Sequence, residues 1–159
     1  MKEKRNGLLI SDLQNRSFII NNEVIKLPPS EFIIYLHYLT NKTGECKYKS
    51  KSSCNDCDAC FASFYHTITN GSKLIDLYKQ VYSEYSDNYQ KLKTKSKKKQ
   101  FESYSGFLQK ISKINRKIKS QLTNNANTFC ISRSGNYGCT VYGIKLDRNK
   151  IIILNQEKL

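Results

Sequence analysis

Cys46, Cys54, Cys57 and Cys60 follow the spacing C-x7-C-x2-C-x2-C, and this is the segment whose residue types most directly suggest chemistry. Two overlapping C-x2-C steps bring thiolates close enough to share one ion, and Cys46, across a Lys/Ser-rich stretch, can complete a tetrahedral all-thiolate zinc site. Structural zinc more often uses two separated pairs, so other chemistries stay open. A C-x2-C-x2-C run also suits iron–sulfur binding with a fourth ligand from elsewhere. A disulfide pair or free thiols fit as well, and His66 can stand in for one thiolate. From Thr43 to Cys60 no apolar periodicity exists, so the loop has nothing of its own to bury and coordination would offset its ordering entropy.

The second chemical feature is charge. The 159 residues carry 27 basic and 13 acidic side chains, a formal +14 that favours polyanionic partners such as nucleic acid, acidic lipid or nucleotide. Residues 91–119 hold eleven Lys or Arg against the single acid Glu102, a local +10, so most of the excess sits there. Such a segment releases condensed counterions from a phosphate backbone and binds it in a salt-dependent way. The bland alternative is a solvated lysine face, with Lys and Asn inflated by an AT-rich genome. Only five of the basic residues are Arg, the type whose planar fork reads guanine edges, and Arg116 and Arg133 are two of them.

Short apolar runs at Leu8–Ile10, Ser17–Ile20 and Glu23–Leu27 predict a small antiparallel sheet, with Asn21-Asn22 as a two-residue hairpin turn. Pro28-Pro29 stops the sheet, and Pro29-Ser30-Glu31 starts a helix, since a proline at the first helical position loses no hydrogen bond. Phe32, Tyr35, Leu36 and Leu39 then recur at i, i+3, i+4 and i+7, placing them on one sheet-facing side of a helix that ends near Asn41. A short helical piece over 61–69 and a longer helix carrying Leu74, Leu77, Tyr78, Val81, Tyr85 and Leu92 are expected next. The Lys91–Lys99 run reads as a frayed helix end or basic loop. A further helix, about Phe101 to Leu122, has Tyr104, Leu108, Ile111, Ile114, Ile118 and Leu122 on one face and Lys110, Lys113, Arg116 and Lys117 on the other or its flanks. Thr128–Arg133 and Cys139–Ile144 flank a Gly/Asn tip and predict a β-hairpin, with Ile151–Leu154 as an edge strand.

This order of sheet, helix, middle helices, basic helix and hairpin resembles a winged helix-turn-helix, specifically the DNA-binding effector domain of OmpR-type response regulators. Leu27-Pro28-Pro29-Ser30-Glu31-Phe32 is similar to that family's Leu-Thr-Pro-x-Glu-Phe strand-to-helix junction. Residues Ile111 to Ile118 resemble its recognition helix, and Ile131 to Gly138 the start of its wing. The segments lie at the two ends and cover about half of the chain. The stretch Cys46–Lys99 is much longer than its family counterpart, the wing tip is lengthened, and no receiver domain is present, so phospho-signalling is not implied. The same junction, cysteine-bearing insertion and basic helix also look like the C-terminal region of CRISPR-associated proteins whose N-terminal half senses cyclic oligoadenylate; that half is absent here, and its ring-nuclease activity is not carried over.

The expected fold class is α+β: a single winged-helix domain over 1–159, with an N-terminal antiparallel sheet, a C-terminal hairpin wing and 43–100 as a cysteine-containing, lysine-rich helical insertion. The resemblance implies a non-enzymatic nucleic-acid-binding regulatory module, DNA ahead of RNA. Lys110, Lys113, Arg116 and Lys117 would enter the major groove, Lys97, Lys98 and Lys99 would add phosphate contacts, and Arg133 with Asn136 would reach phosphates or the minor groove. Cys46, Cys54, Cys57 and Cys60 are the expected zinc ligands. Two rivals stand beside it: a protein-interaction or dimerisation subunit, as a homodimer or with a CRISPR-type effector, and a small RNA- or cyclic-oligonucleotide-acting nuclease.

Catalytic motifs are lacking: there is no Gly-rich phosphate loop, H-E-x-x-H or nucleophile elbow. His37 reads as a packed residue on the first helix. Tyr78, Tyr82, Tyr85 and Tyr89 read as core or dimer contacts rather than base-stacking platforms. Counting outward from a five-residue tip pairs Arg133 with Cys139 and Cys130 with Tyr142, so Cys130 and Cys139 are not expected to bond. No apolar run reaches membrane-spanning length and no signal-type segment follows Met1–Gly7, so cytoplasm is the default and no membrane partner is expected.

Overall fold

The computed structural model describes residues 8–44, 54, 57–64, 74, 77, 81, 104–135 and 140–154. The chain is α+β, with two sheets and three helices among these residues. Strands β1 (Leu9–Asp12), β2 (Ser17–Ile20) and β3 (Glu23–Ile25) form the expected antiparallel meander. Asn21 and Asn22 turn it at φ of 51° and 70°, the double left-handed conformation that matches the twist of a two-residue hairpin and that Asn tolerates.

A fourth strand, β7 (Ile151–Leu154), completes this sheet in the order β3-β2-β1-β7, and it runs parallel to β1 with Leu9 opposite Ile151. Ile151–Leu154 is thus an edge strand, and it ties the C-terminal segment to the N-terminal one. Alternation puts Leu9, Phe18, Ile20, Ile25 and Ile151 inward, where all are buried. The outer side carries one row crossing all four strands, Val24–Ile19–Ile10–Ile152, with Val24 50% and Ile152 40% exposed.

Helix α1 (Pro29–Gly44) continues about a turn beyond the expected end at Asn41. The expectation of one buried face understates it, because every residue from Glu31 to Leu39 is buried. The reason is a second layer. Phe32 and Tyr35 meet Phe18 of the first sheet, both with ring centroids at 4.6 Å, while Tyr38 faces Phe107 of the basic helix at 6.5 Å. A helix covered on both sides is apolar all round, so periodicity reveals only part of its buried surface.

The second sheet has the order β4-β6-β5. It joins β4 (Ala62–Ser63), β5 (Ile131–Ser134) and β6 (Val141–Ile144), all antiparallel. Residues 62–63 are therefore strand, not the helix expected over 61–69. Pairing with the free edge of β6 (Ala62 opposite Tyr142) overrides local propensity there. Phe64, Leu74, Leu77 and Val81 are helical, and Leu74 and Val81 are buried.

The hairpin also departs from expectation. Thr128 and Phe129 belong to a short helix, α3 (Ala126–Phe129), so β5 starts at Ile131 rather than Thr128. Arg133 pairs with Tyr142 and Ser134 with Val141, a register three residues away from the one counted from a five-residue tip. That register places the Tyr142 side chain, 3% exposed, against Phe107 at 5.8 Å. A slip of one residue would turn it to the opposite face, so core burial sets the register.

Gly143 of β6 marks a close approach: a Cβ there would fall inside the Phe61 ring. Gly143→Ala is expected to cost about 1–3 kcal/mol in urea unfolding by overpacking, and an unchanged midpoint would refute that contact.

Among the described residues no helix is long and apolar enough to cross a membrane.

Candidate nucleic-acid interface

Helix α2 (Tyr104–Gln121) carries the basic residues singled out in the sequence. Its buried stripe is Phe107, Ile111, Ile114 and Ile118, spaced four, three and four residues apart, and Leu122 follows just beyond the helix. Sequence reading missed Phe107 as the anchor and favoured Leu108, which is only partly buried. Extending the Ile118–Ile114–Ile111 spacing back by four residues would have found it.

Opposite this stripe Lys113, Arg116, Lys117 and Lys119 are all exposed. Arg116 is two residues from Ile114 and from Ile118, so it stands close to diametrically away from the core at 100° per residue. A shallow depression runs along this face between Ser112, Arg116, Lys119 and Ser120, with Asn115 at its side.

Lys110 differs from the others. It is half-buried, and its Nζ donates to Ser30 Oγ at 2.9 Å, in the first turn of α1. The neighbouring Glu31 is 6% exposed; burial pushes its carboxyl above the usual glutamate range, while Lys110 and Lys113 pull it partly back. Lys110 is thus directed toward α1 rather than standing free on the outward face, and its placement suits a groove contact less than that of Arg116.

The raised pKa has a consequence for stability. The native state gains relative stability where Glu31 is protonated in both states, below the unfolded pKa, and loses it as pH rises through the folded one. Glu31→Gln is therefore expected to melt above wild type at about pH 7 and to converge with it toward about pH 4. A variant less stable than wild type at neutral pH would show that the lysine contacts outweigh burial.

Asn115 was not singled out in the sequence, yet it positions the site. Its Nδ2 donates to the Ile131 carbonyl at 3.0 Å and its Oδ1 accepts the Ile131 N–H at 2.8 Å. One amide thereby occupies both main-chain groups at the start of β5 and fixes the hairpin beside α2. Arg133, two residues further along β5, is exposed. The structure thus brings Lys113, Arg116, Lys117 and Arg133 onto two elements clamped together. Lys97, Lys98, Lys99 and Asn136 lie outside the described residues.

The cysteine loop rests against the same hairpin. Ser134 Oγ donates to Asp58 Oδ2 at 2.7 Å, and the Cys54 N–H donates to Asp147 Oδ1 at 2.6 Å. Within the loop the Cys57 N–H reaches the Cys54 carbonyl at 3.2 Å. Cys54, Cys57 and Cys60 are half-buried, and among the described residues no group of three or more His, Cys, Asp or Glu side chains is arranged to hold a metal. Cys46 and His66 lie outside the described residues.

Cys130 is buried; burial pushes its thiol upward, with Lys119 opposing, so it stays protonated and is a poor nucleophile. His37 is 3% exposed and lies within hydrogen-bond range of Asn41, 3.3 Å from Nε2 to Nδ2, inside the core as expected.

Lys42 is an unexpected core residue: only 2% exposed, it donates from Nζ to the Ile144 carbonyl and so joins α1 to the second sheet. Nothing in its surroundings in sequence distinguishes it from a surface lysine.

No family model matches the chain, and no curated protein or solved structure matches it.

Proposed function

We propose that the chain is a DNA-binding regulatory module of the winged helix-turn-helix type, with α2 as the recognition helix and the β5–β6 hairpin as its wing. The observation that carries this is the outward face of α2. Lys113, Arg116 and Lys117 stand free of the core on a helix whose opposite side is anchored, and Asn115 holds the hairpin that bears Arg133 next to it. A rigid helix with cations on one side fits the major groove of B-form DNA, whereas the deep, narrow major groove of A-form RNA does not admit one. Arg116 supplies the bidentate fork for a guanine edge, and the lysines and Arg133 hold phosphates. The three-stranded arrangement in which β4 backs the hairpin, and the Leu27–Phe32 junction leading into α1, are consistent with the OmpR-type resemblance; the CRISPR-associated setting follows from resemblance alone. Zinc at Cys46, Cys54, Cys57 and Cys60 is an expectation of the sequence and plays no part in this reading.

The test is titration of a short duplex by fluorescence anisotropy across about 50 to 200 mM salt, where log K is expected to fall linearly with log salt. Absence of binding at low salt, or affinity indifferent to salt, contradicts the proposal.

One observation favours a second reading, a protein-docking subunit. The row Val24–Ile19–Ile10–Ile152 leaves an apolar line across the outer face of the first sheet. Co-purification with a partner chain in the absence of any DNA shift would select it.

A further inference from the structure

Cys54 and Cys57 stand at the two ends of a hydrogen-bonded turn, in which the Cys57 N–H donates to the Cys54 carbonyl at 3.2 Å. A bond of this kind, from residue i+3 back to residue i, holds the two Cα atoms within about 7 Å of each other. A disulfide needs a Cα separation of about 4.4–6.8 Å, so the main chain already has the span that a bond between these two residues requires. Both residues are half-buried, so neither is sealed in the core as Cys130 is.

The turn is also held from outside. Asp147 Oδ1 accepts the Cys54 N–H at 2.6 Å, and Asp58, the residue after Cys57, accepts from Ser134 Oγ at 2.7 Å. A second turn follows at once, with the Phe61 N–H on the Asp58 carbonyl at 3.0 Å, and Cys60 lies inside it. Phe61 then packs against Gly143, and Ala62 pairs with Tyr142 in the second sheet. The cysteine pair is therefore tied to Asp147 at one end and to β5 and β6 at the other. These contacts already meet the entropy of ordering the main chain, which a pair on a slack loop would have to lose when its sulfurs joined.

From this arrangement we infer that Cys54 and Cys57 are a redox modification site, a thiol pair that low-molecular-weight disulfides such as glutathione disulfide oxidise reversibly to an intramolecular disulfide. One cysteine thiolate attacks a sulfur of glutathione disulfide, forming a mixed disulfide and expelling one glutathione thiolate. The other cysteine attacks the protein sulfur of that mixed disulfide, forms the Cys54–Cys57 bond and expels the second glutathione. Two protein thiols are oxidised, one glutathione disulfide is reduced to two thiols, and the two protons lost by the cysteines end on the glutathione sulfurs. The bond restrains the loop where Asp58 meets Ser134, next to Arg133 on β5, and reduction releases that restraint.

Equilibration of the whole chain in glutathione buffers, followed by alkylation and peptide mapping by mass spectrometry, tests the site. Cys54 and Cys57 are expected to lose alkylation together and to appear joined in one linked peptide. A short flexible linker supplies an effective concentration of about 1 mM, so a pair preset by the turn should be half oxidised at a [GSH]²/[GSSG] ratio above about 1 mM. A ratio below that value overturns the inference, because the turn would then confer no advantage. Cys60→Ser is expected to leave the linkage in place, with the half-oxidation ratio moved by less than about two-fold, and Cys57→Ser to abolish it. Linkage of Cys54 or Cys57 to Cys46 or Cys60 instead, or loss of oxidation in Cys60→Ser, overturns the pairing. So does one zinc per chain that shields Cys54 and Cys57 from alkylation in chelator-free reducing buffer. The map is made on the unaltered chain, so it stands even if a serine variant fails to fold. Failure here leaves the duplex titration untouched, and failure of the duplex titration leaves this pair untouched.

Discussion

Phe107→Ala is expected to destabilise the protein by about 3–5 kcal/mol, a large part of the stability of an ordinary domain. Phe107 is 2% exposed and is the point where three elements meet α2: its ring lies 6.5 Å from Tyr38 of α1, 5.8 Å from Tyr142 of β6 and 5.1 Å from Phe64. Truncation removes the ring's transfer energy and leaves a cavity bounded by rings on different elements, which cannot close in on it together. Urea unfolding of the two chains measures the difference. A loss below about 1 kcal/mol would mean that α2 is not held to α1 through this contact. The neighbouring Leu108, only partly buried, provides the contrast: Leu108→Ala should cost clearly less.

The second large effect concerns binding alone. Lys113→Ala/Arg116→Ala/Lys117→Ala is expected to lower the slope of log K against log salt by roughly 2, because each of the two phosphate-holding lysines removed no longer displaces a counterion. Arg116 accounts for about 1–3 kcal/mol of the lost affinity and for the base preference, since only its fork reads a base edge. All three side chains are exposed, so unfolding stability should move by no more than about 0.5 kcal/mol each. The triple variant therefore separates function from fold. If it unfolds like wild type and binds duplex with unchanged slope, the face opposite the Phe107 stripe is a solvated surface and nothing more. Asn115→Ala gives a different pattern: it strips the partner from both Ile131 main-chain groups and should damage stability and binding together.

What could be read in advance depended on how local the determining physics is. The Asn21-Asn22 turn, the helix start at Pro29 and the Ile111–Ile114–Ile118 stripe follow from a few adjacent residues, and the structure has all three. Long-range pairing was harder to see. Nothing near Ala62 announces that it will face Tyr142, and nothing near Ile151 says that it will run parallel to Leu9. The hairpin register failed for the same reason. Tip length is a local guess, whereas the burial of Tyr142 against Phe107 is decided elsewhere in the fold.

The site shows the same division. Exposed cations on α2 follow from its amphipathic period, so Lys113, Arg116 and Lys117 were legible. Lys110 has the same residue type and nearly the same spacing, and only the position of Ser30 and Glu31 on another helix turns it inward. Asn115 looks like any polar residue of a basic helix until β5 arrives to take both ends of its amide. Lys42, in the core against Ile144, carries no sequence signal at all.

Amide chemical-shift mapping of the protein against a short DNA duplex at low salt tests the central claim most directly, because it reports the surface in contact residue by residue. The account predicts that the largest shifts fall on α2 around Ser112–Ser120 and on β5 around Arg133, with the first sheet unmoved. Shifts concentrated on Ile10, Ile19, Val24 and Ile152 instead, with α2 silent, would contradict it.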